Sequence, residues 1–359
     1  MSSSSLPSLR WGLVGTGQIS SWFVADLALV RPNAKAKHII AAIGSSSKEK
    51  GEAFVKRWIP QLSPGPKVYA GYDAVYHASD VDIVYIGTPH GFHKQHCLYA
   101  IEAGKHVLCE KAFALNAREA KEVFAAAQKK GVFVMEAMWT RFFPLVHQLH
   151  RVVHEEKAIG DVHRVFADLS LDQNIASLDA DSRLKNPALG AGTLLDICIY
   201  SITWGLLMLD ADIATEAERP DIKAVQTLSG PIDVASTVLL FYPSTGRHAI
   251  CTSTAMCKHS GEIDVFARIE GTLGYITVEG VSASCPTAFT VYDKAGGSAR
   301  RFTVPKPGFG LYWEADAVAQ DIAAGRMESA VMPRVETVRV LEMLDEARRQ
   351  GGAQFPIDD

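Results

Sequence analysis

Through the first 140 residues, short apolar runs alternate with stretches whose apolar positions recur at helical spacing. Residues 9–14 form an apolar run that closes on glycines, and residues 19–30 continue with helical periodicity, so strand, tight turn and helix are predicted in that order. A second run, 38–43, stops at Gly44-Ser45-Ser46-Ser47, after which 48–58 mixes charged and apolar residues as an amphipathic helix does. The same alternation predicts strands over 81–87, 106–109 and 132–136 and helices over 93–103 and 117–129. Strand and helix repeated at this pitch imply a parallel, doubly wound sheet.

From about residue 160 the pattern changes to longer strand-like runs at 162–171, 235–242, 248–255 and 262–270, with a turn signal at Pro243-Ser244-Thr245-Gly246. Shorter candidates follow at 276–278, 289–292 and 301–304, and one strong helix, 194–209, is expected to cover a face of the sheet. Helical patterns return over 313–324 and 335–349, the latter stopping at Gly351-Gly352. The predicted fold is an α/β Rossmann N-terminal domain, residues 1–140, plus an α+β C-terminal domain, residues 141–359, with an open, largely antiparallel sheet. The last helices are expected to pack back on the Rossmann domain.

A chain of 359 residues, 48% hydrophobic and 21% charged, has the length of roughly two domains at about 150 residues each. Its net charge of -4 offers no global positive field for nucleic acid or an anionic membrane. The six cysteines lie apart, without C-x-x-C or zinc-ligand spacing, and read as thiols in a reducing compartment. No basic segment leads into a long apolar one near Met1, and no stretch of about 18 apolar residues is read anywhere. A cytoplasmic protein, neither secreted nor inserted in a membrane, is expected.

Between the first strand and helix stands Gly15-Thr16-Gly17-Gln18-Ile19-Ser20. Its glycines suit a tight turn and the close approach of a pyrophosphate to the positive end of the following helix; Ser20 replaces the usual third glycine or alanine. An NAD enzyme usually places Asp or Glu at the end of the second strand, against the ribose 2'-hydroxyl. Here that position reads Gly44-Ser45-Ser46-Ser47-Lys48, so Ser45 and Ser46 with Lys48 or Lys50 are expected to take a 2'-phosphate, and NADP(H) is the expected cofactor. A serine N-cap on the following helix is compatible with that role.

Two further strands end in Thr88-Pro89-His90-Gly91-Phe92-His93 and Cys109-Glu110-Lys111-Ala112, at the carboxyl edge where open α/β sheets bind ligands. Lys111 is placed to reach a substrate oxygen. His90, His93 and His96 have metal-like spacing, but cofactor-loop and helix-surface roles are expected for them, and no metal. In the second half Asp196 and Tyr200 are four apart on one predicted helix, which puts acid and phenol on one face; Tyr200 reads equally well as a packing residue.

Together these segments resemble the Gfo/Idh/MocA family of two-domain dehydrogenases, from Trp11 to about Phe355. Glu110-Lys111-Ala112 matches the family's Glu-Lys-Pro motif with alanine for proline, and Asp196 with Tyr200 matches its acid followed four residues on by His or Tyr. The string Met135-Glu136-Ala137-Met138-Trp139-Thr140-Arg141-Phe142-Phe143-Pro144, with Tyr312-Trp313-Glu314-Ala315-Asp316, is similar to the branch of dimeric dihydrodiol dehydrogenases and fungal NADP-dependent D-xylose 1-dehydrogenases. The resemblance implies a catalytic Lys111 and Tyr200 with Asp196, and cofactor contacts from Gly15, Thr16, Gly17, Gln18, Ile19, Ser45, Ser46, Lys48, Thr88, Pro89, His90, His93, Glu110, Lys111, Trp139 and Arg141. It implies substrate contacts from Lys111, Trp139, Phe142, Arg183, Asp196, Tyr200 and Trp313.

The implied reaction moves a hydride between an aldose C1, or a carbinol of a vicinal diol, and the nicotinamide, while Tyr200 or Lys111 takes the hydroxyl proton. The alternatives are an NADPH-dependent ketosugar or aldulose reductase, and a sensor that keeps the cofactor fold without turnover. A homodimer through the C-terminal sheet is expected, because an open antiparallel face needs cover.

Overall fold

The computed structural model describes residues 6–212, 218–258, 264–294 and 299–358. The chain forms two compact units, one of Met1–Ala114, Arg118–Phe142 and Lys306–Thr337, the other of Leu115–Ala117, Phe143–Pro305 and Val338–Asp359. The division drawn from the pattern at 140/141 thus meets a chain that leaves the first unit at Phe142 and returns to it at Lys306.

In the first unit β1 (Ser8–Val14), α1 (Gln18–Leu27), β2 (Lys37–Ser45), α2 (Lys48–Trp58), β3 (Lys67–Ala70), α3 (Asp73–His77), β4 (Ile83–Ile86), α4 (His93–Glu102), β5 (His106–Glu110), α5 (Ala117–Lys130) and β6 (Val134–Ala137) follow in turn. The strands are all parallel, in the order β3-β2-β1-β4-β5-β6, which is the doubly wound sheet expected. Ile83 to Ile86 are buried throughout because both faces of a parallel sheet are covered. The short β3 and α3 were not anticipated; no residue of β3 is buried, so its sequence carries no strand pattern.

The second unit holds α6 (Pro144–His154), β7 (Val162–Ser170), α7 (Ile199–Leu209), β8 (Asp221–Ser229), β9 (Ile232–Phe241), β10 (His248–Thr254), β11 (Asp264–Gly271), β12 (Gly274–Ser282), β13 (Cys285–Asp293) and β14 (Arg300–Thr303). Its eight-stranded sheet runs β14-β13-β12-β11-β7-β10-β9-β8. Every pairing is antiparallel except β7 with β10. Residues 262 and 263 of the predicted fourth strand lie outside the described residues. Missed from the sequence were α6, which Pro144 opens at a position where a missing N–H costs nothing, and the edge strand β8.

Helix α7 is buried along its whole length and packs on β7 and β10. Gly205 makes the approach possible: a Cβ there would lie 2.9 Å from the Ala249 methyl and 3.2 Å from Cys251 Sγ. One expectation is corrected by this helix. The run Pro187–Leu209 is long and apolar enough to cross a membrane by length and composition; 94% of its apolar window is buried inside the protein, where it serves as a core helix.

After β14, α8 (Tyr312–Ala323) is anchored within the first unit, and α9 (Arg334–Gly351) is followed by a single 3₁₀ turn at Pro356–Asp358. Two buried carboxylates hold the approach to α8 and its first turn. Asp26 of α1 accepts from the amides of Phe309, Gly310 and Leu311 at 2.9, 2.7 and 2.8 Å. Asp316 accepts both guanidinium nitrogens of Arg31 at 2.8 and 2.9 Å and lies 2.9 Å from His38 Nε2. His38 Nδ1 accepts from Trp11 Nε1 at 3.0 Å, which leaves Nε2 as the donor to Asp316.

Candidate active site

The glycine loop turns because Gly15 adopts φ +98°, where a Cβ would come within 3.0 Å of the Gly87 carbonyl. Gly17 caps α1 without a side chain, so the first amides of the helix face outward beside Thr16, exposed Gln18 and half-buried Ile19. Ser20 is fully buried against Gly87; a Cβ on Gly87 would sit 2.3 Å from the Ser20 hydroxyl, so the pair fits only as small residue on glycine. A cleft of about 340 Å³ beside the loop is lined by Thr16, Gly17, Gln18, Ser21, Trp22, Arg57 and Trp58. Arg57, 40 residues from the loop, had no local signal. A larger groove of about 690 Å³ runs along α2 and β3 and includes, of the residues named for chemistry, only Lys48.

At the end of β2 the serines divide. Ser45 is buried with its hydroxyl 3.1 Å from that of Thr16. Ser46 is exposed and accepts from Lys50 Nζ at 3.2 Å, Ser47 caps α2 by accepting the Lys50 amide at 3.3 Å, and Lys48 reaches outward 3.8 Å from Glu52. The cationic rim is therefore Ser46 with Lys48 and Lys50, and Ser45 supports it from within.

The ends of β4 and β5 are joined by His93, whose buried ring lies 2.7 Å from the Thr88 carbonyl at Nε2 and 2.9 Å from the Ala112 carbonyl at Nδ1. Burial holds it neutral, pushed down to about 3. The neutral ring has one N–H, which donates to one of the two carbonyls while the other nitrogen only lies near the second; the ring so bridges the ends of β4 and β5 beside the loop expected to meet the cofactor. His90 is buried and packs edge-on against His93, Pro89 precedes it in extended conformation, and His96 Nδ1 lies 2.8 Å from the Tyr76 hydroxyl. Among the described residues no cluster of three or more metal-binding groups occurs.

Glu110 is likewise interior and accepts from the Tyr85 hydroxyl at 2.5 Å, with Phe23 stacked on the Tyr85 ring. Half-buried Lys111 follows directly, joined to Ala112 by a cis peptide bond. The Phe113 amide donates to Glu136 Oε1 at 3.0 Å. Trp139 and Phe142 are buried, and Trp313 is half-buried with its ring centroid 4.9 Å from that of Tyr312. Arg141 is turned inward, paired with Glu336 at 2% side-chain exposure on both sides. Its guanidinium is engaged in the core, so the cofactor contact expected of it finds no support in its placement. Glu314, one residue past Trp313, is buried, and neither carboxylate oxygen has a hydrogen-bond partner among the described residues; burial, then Glu110, raises its pKa well above the usual range.

In the second unit, residues Leu194–Cys198 form one π turn ahead of α7, and Asp196 lies in it. Asp196 and Tyr200 are both buried, and Arg183 Nη1 approaches Asp196 Oδ2 to 3.5 Å, so the loop arginine and the helix acid do meet. Asp233 of β9 holds the start of this helix. Its Oδ2 accepts from Thr193 Oγ1 at 2.6 Å, the Leu194 amide at 2.7 Å and Ser236 Oγ at 2.8 Å. Gly192, at φ +129°, presses so close that a Cβ would lie 2.3 Å from Asp233 Oδ1.

The Gfo/Idh/MocA model, described as an oxidoreductase family with an NAD-binding Rossmann fold, matches residues 9–138. Over the whole length, the chain is 34% identical to a D-xylose 1-dehydrogenase (NADP(+)) of Hypocrea jecorina, covering 99% of this chain and 95% of that one. The chain belongs to the Gfo/Idh/MocA oxidoreductase family. This Gfo/Idh/MocA protein is also 32% identical to a trans-1,2-dihydrobenzene-1,2-diol dehydrogenase of Danio rerio, over 98% of its own length and 99% of the other. Its fold is shared with an aldose-aldose oxidoreductase of Caulobacter crescentus (TM-score 0.78, 23% identity, 96% and 97% of the two chains). A 3-ketoreductase of Actinomadura kijaniata shares it as well (TM-score 0.76, 23% identity, 96% and 98%). The family member described here is accordingly an oxidoreductase with a dinucleotide-binding first unit.

Proposed function

We propose that the protein oxidises an aldose such as D-xylose at C1 to the lactone, or a vicinal diol, with NADP+ as hydride acceptor. The observation that carries the cofactor choice is the end of β2, where exposed Ser46 is bonded by Lys50 beside Lys48 in place of an acidic residue. The substrate class rests on the two whole-length relatives, one acting on D-xylose and one on a dihydrobenzene diol by name. The loop fits a dinucleotide: Gly15 and Gly17 leave room that a Cβ would fill, and α1 offers its uncapped amides. Gly15 to Ile19 would hold the pyrophosphate, and Ser46, Lys48 and Lys50 the 2'-phosphate. The bound nicotinamide supplies the hydride acceptor.

For the protein's own residues we assign Tyr200 as the acceptor of the substrate hydroxyl proton and Asp196 as the group that orients it. The Lys111 ammonium hydrogen-bonds the substrate oxygen and opposes the negative charge that develops there. Arg183 steadies Asp196, and Trp139, Phe142 and Trp313 supply apolar walls. The expected location is the cytoplasm, consistent with the buried thiols of Cys97, Cys109, Cys198 and Cys251. The deciding experiment is a panel of aldoses and trans-diols offered with NADP+ and with NAD+, followed by reduced-cofactor absorbance. Turnover of D-xylose or a diol with NADP+ is expected; activity on none of them, with NADPH still bound, would instead favour a sensor.

We also propose a two-fold dimer through the face of the second sheet opposite α7. On that face Leu239, Ile250 and Phe166 lie in register across β9, β10 and β7, all half-buried, and Arg268 sits 3.9 Å over the Tyr275 ring, itself stacked on Tyr292. Apolar and aromatic groups on an uncovered face are the kind of surface a second copy covers. Sedimentation giving a monomer at micromolar concentration would refute it.

A further inference from the structure

The string from Met135 to Pro144 is among the most distinctive in the chain, yet its glutamate has no part in the reaction proposed above. Glu136 stands on β6 directly opposite Cys109 of β5, in the strand pairing that leads to Lys111. It is 1% exposed, in a place where an apolar side chain would satisfy the core, and its Oε1 accepts the Phe113 amide at 3.0 Å.

We propose that Glu136 is a positioning residue for Lys111, its carboxylate holding the Phe113 amide and so fixing the chain on the far side of Ala112. The inference rests on the reading of Lys111 as the group that meets the substrate oxygen. The segment around Lys111 is fastened on both flanks. Before it, Glu110 is held by the Tyr85 hydroxyl at 2.5 Å; after it, the Ala112 carbonyl faces His93 at 2.9 Å and the Phe113 amide meets Glu136. The Phe113 ring, stacked on Phe124 at 4.7 Å, prevents that residue from swinging outward to find water. A buried amide that loses its acceptor must find another, and the backbone moves to reach it. Lys111 is two residues away, and a displacement of about 1 Å at a reacting group is enough to cost on the order of 10²-fold in rate.

The test compares Glu136→Leu, Glu136→Gln and Glu136→Asp with Lys111→Ala, using D-xylose and NADP+, with NADPH affinity measured by fluorescence and folding by thermal melting. The leucine variant is expected to lose at least tenfold in kcat while NADPH affinity stays within about twofold, because the glycine loop and the 2'-phosphate residues are untouched. Gln keeps an acceptor oxygen at the same reach and is expected to return kcat to within about threefold of the parent. Asp withdraws the oxygen by one methylene and is expected to resemble Leu, so the Gln and Asp pair decides the matter even where Leu fails to fold. In a Lys111→Ala background, Glu136→Leu should cause no further loss. Parental kcat in the Leu or Asp variant, a Gln variant as impaired as Asp, or a fall in NADPH affinity matching the fall in kcat overturns the assignment. Lys111→Ala with undiminished turnover strikes the reading of Lys111 instead, whereas an inactive Lys111→Ala beside a fully active Glu136→Leu strikes only the role of Glu136.

Discussion

Asp233→Ala is the perturbation whose consequence the structure constrains most tightly. Three donors on this carboxylate converge on one oxygen, Oδ2: the Thr193 hydroxyl at 2.6 Å, the Leu194 amide at 2.7 Å and the Ser236 hydroxyl at 2.8 Å. They are not equally replaceable. Ser236 Oγ still accepts from Gln226 Nε2 at 3.0 Å and Thr193 can rotate, but the Leu194 amide is fixed by the backbone and buried. Hydrogen bonds to a charged group contribute roughly 1.5–3 kcal/mol each, and a stranded buried donor costs about 1–3 kcal/mol. Counting the amide in full and the hydroxyls in part gives ~3–4 kcal/mol, or a fall of roughly 6–16 °C in the melting of a unit of this size. Asp233→Asn is the control: its carbonyl oxygen can occupy the position of Oδ2 and keep all three donors, so a loss under about 1.5 kcal/mol is expected. Calorimetry resolves the transition, and hydrogen exchange over residues 192–209 locates the loosening. Turnover should fall further in Ala than in Asn, since Asp196 lies two residues beyond the stranded amide. A melting temperature within 2 °C of the parent, or an Asn variant as weakened as Ala, would refute the reasoning.

Lys50→Ala and Lys48→Ala should each raise the KM for NADP+ by about tenfold and leave that for NAD+ within twofold, because only a 2'-phosphate can use their charge; equal effects on both cofactors would move the phosphate elsewhere. Lys111→Ala and Tyr200→Phe are each expected to lower kcat at least tenfold, within the roughly 10² to 10⁴ typical of lost acid-base help, with NADPH binding nearly intact; unchanged turnover in both removes the assignment. Glu136 supplies a pH test. Burial pushes its pKa up to about 7 from 4.5, Glu110 adds to the rise, and the Phe113 amide, Thr337 and Arg141 oppose it. An acid whose pKa is raised on folding contributes stability that is full below the unfolded value and lost as pH climbs through the folded one. Here the window is roughly pH 4.5 to 7 and the loss is roughly 3 kcal/mol. Glu136→Gln should therefore gain stability relative to the parent as pH rises from about 4.5 to about 7, read as the difference in melting temperature; a constant difference contradicts the shift.

Most of the first unit was legible because burial writes itself into the sequence. Ile83 to Ile86 are covered on both faces, so they form an unbroken apolar run, and glycine at 15 and 17 marks a turn whose cause is local. Where burial is lacking the pattern weakens, although β14, with no buried residue, is still read over 301–304. No residue of β3 or of the edge strand β8 is buried, and both went unread. Periodicity also merged two conformations into one, since the π turn at Leu194–Cys198 and α7 share the same apolar spacing. The candidate site divides along the same line. A serine N-cap could be expected from the run at the end of β2, and Ser47 fills it, whereas the pairing of Arg141 with Glu336, 195 residues away, left no local trace.

Those distant partners share a chemical form. Each candidate segment is fastened by a buried carboxylate that accepts backbone amides a few residues away: Asp26 takes Phe309 to Leu311 ahead of Trp313, Glu136 takes Phe113 after Lys111, and Asp233 takes Leu194 ahead of Asp196. An ionised carboxylate suits this task because it only accepts, so it can gather several amides at one point and cannot donate into a competing arrangement. Burial raises the pKa of all three, against the pull of the amides they hold, so each fastening carries a desolvation cost. An amide of the same shape would keep the accepting oxygen without that charge. If geometry is what these residues supply, Asn and Gln replacements should preserve turnover and keep most of the stability, while shorter side chains lose both. If charge is what matters, the order reverses, and the three sites can be read against one another because none of the three touches the reacting atoms in the proposed mechanism.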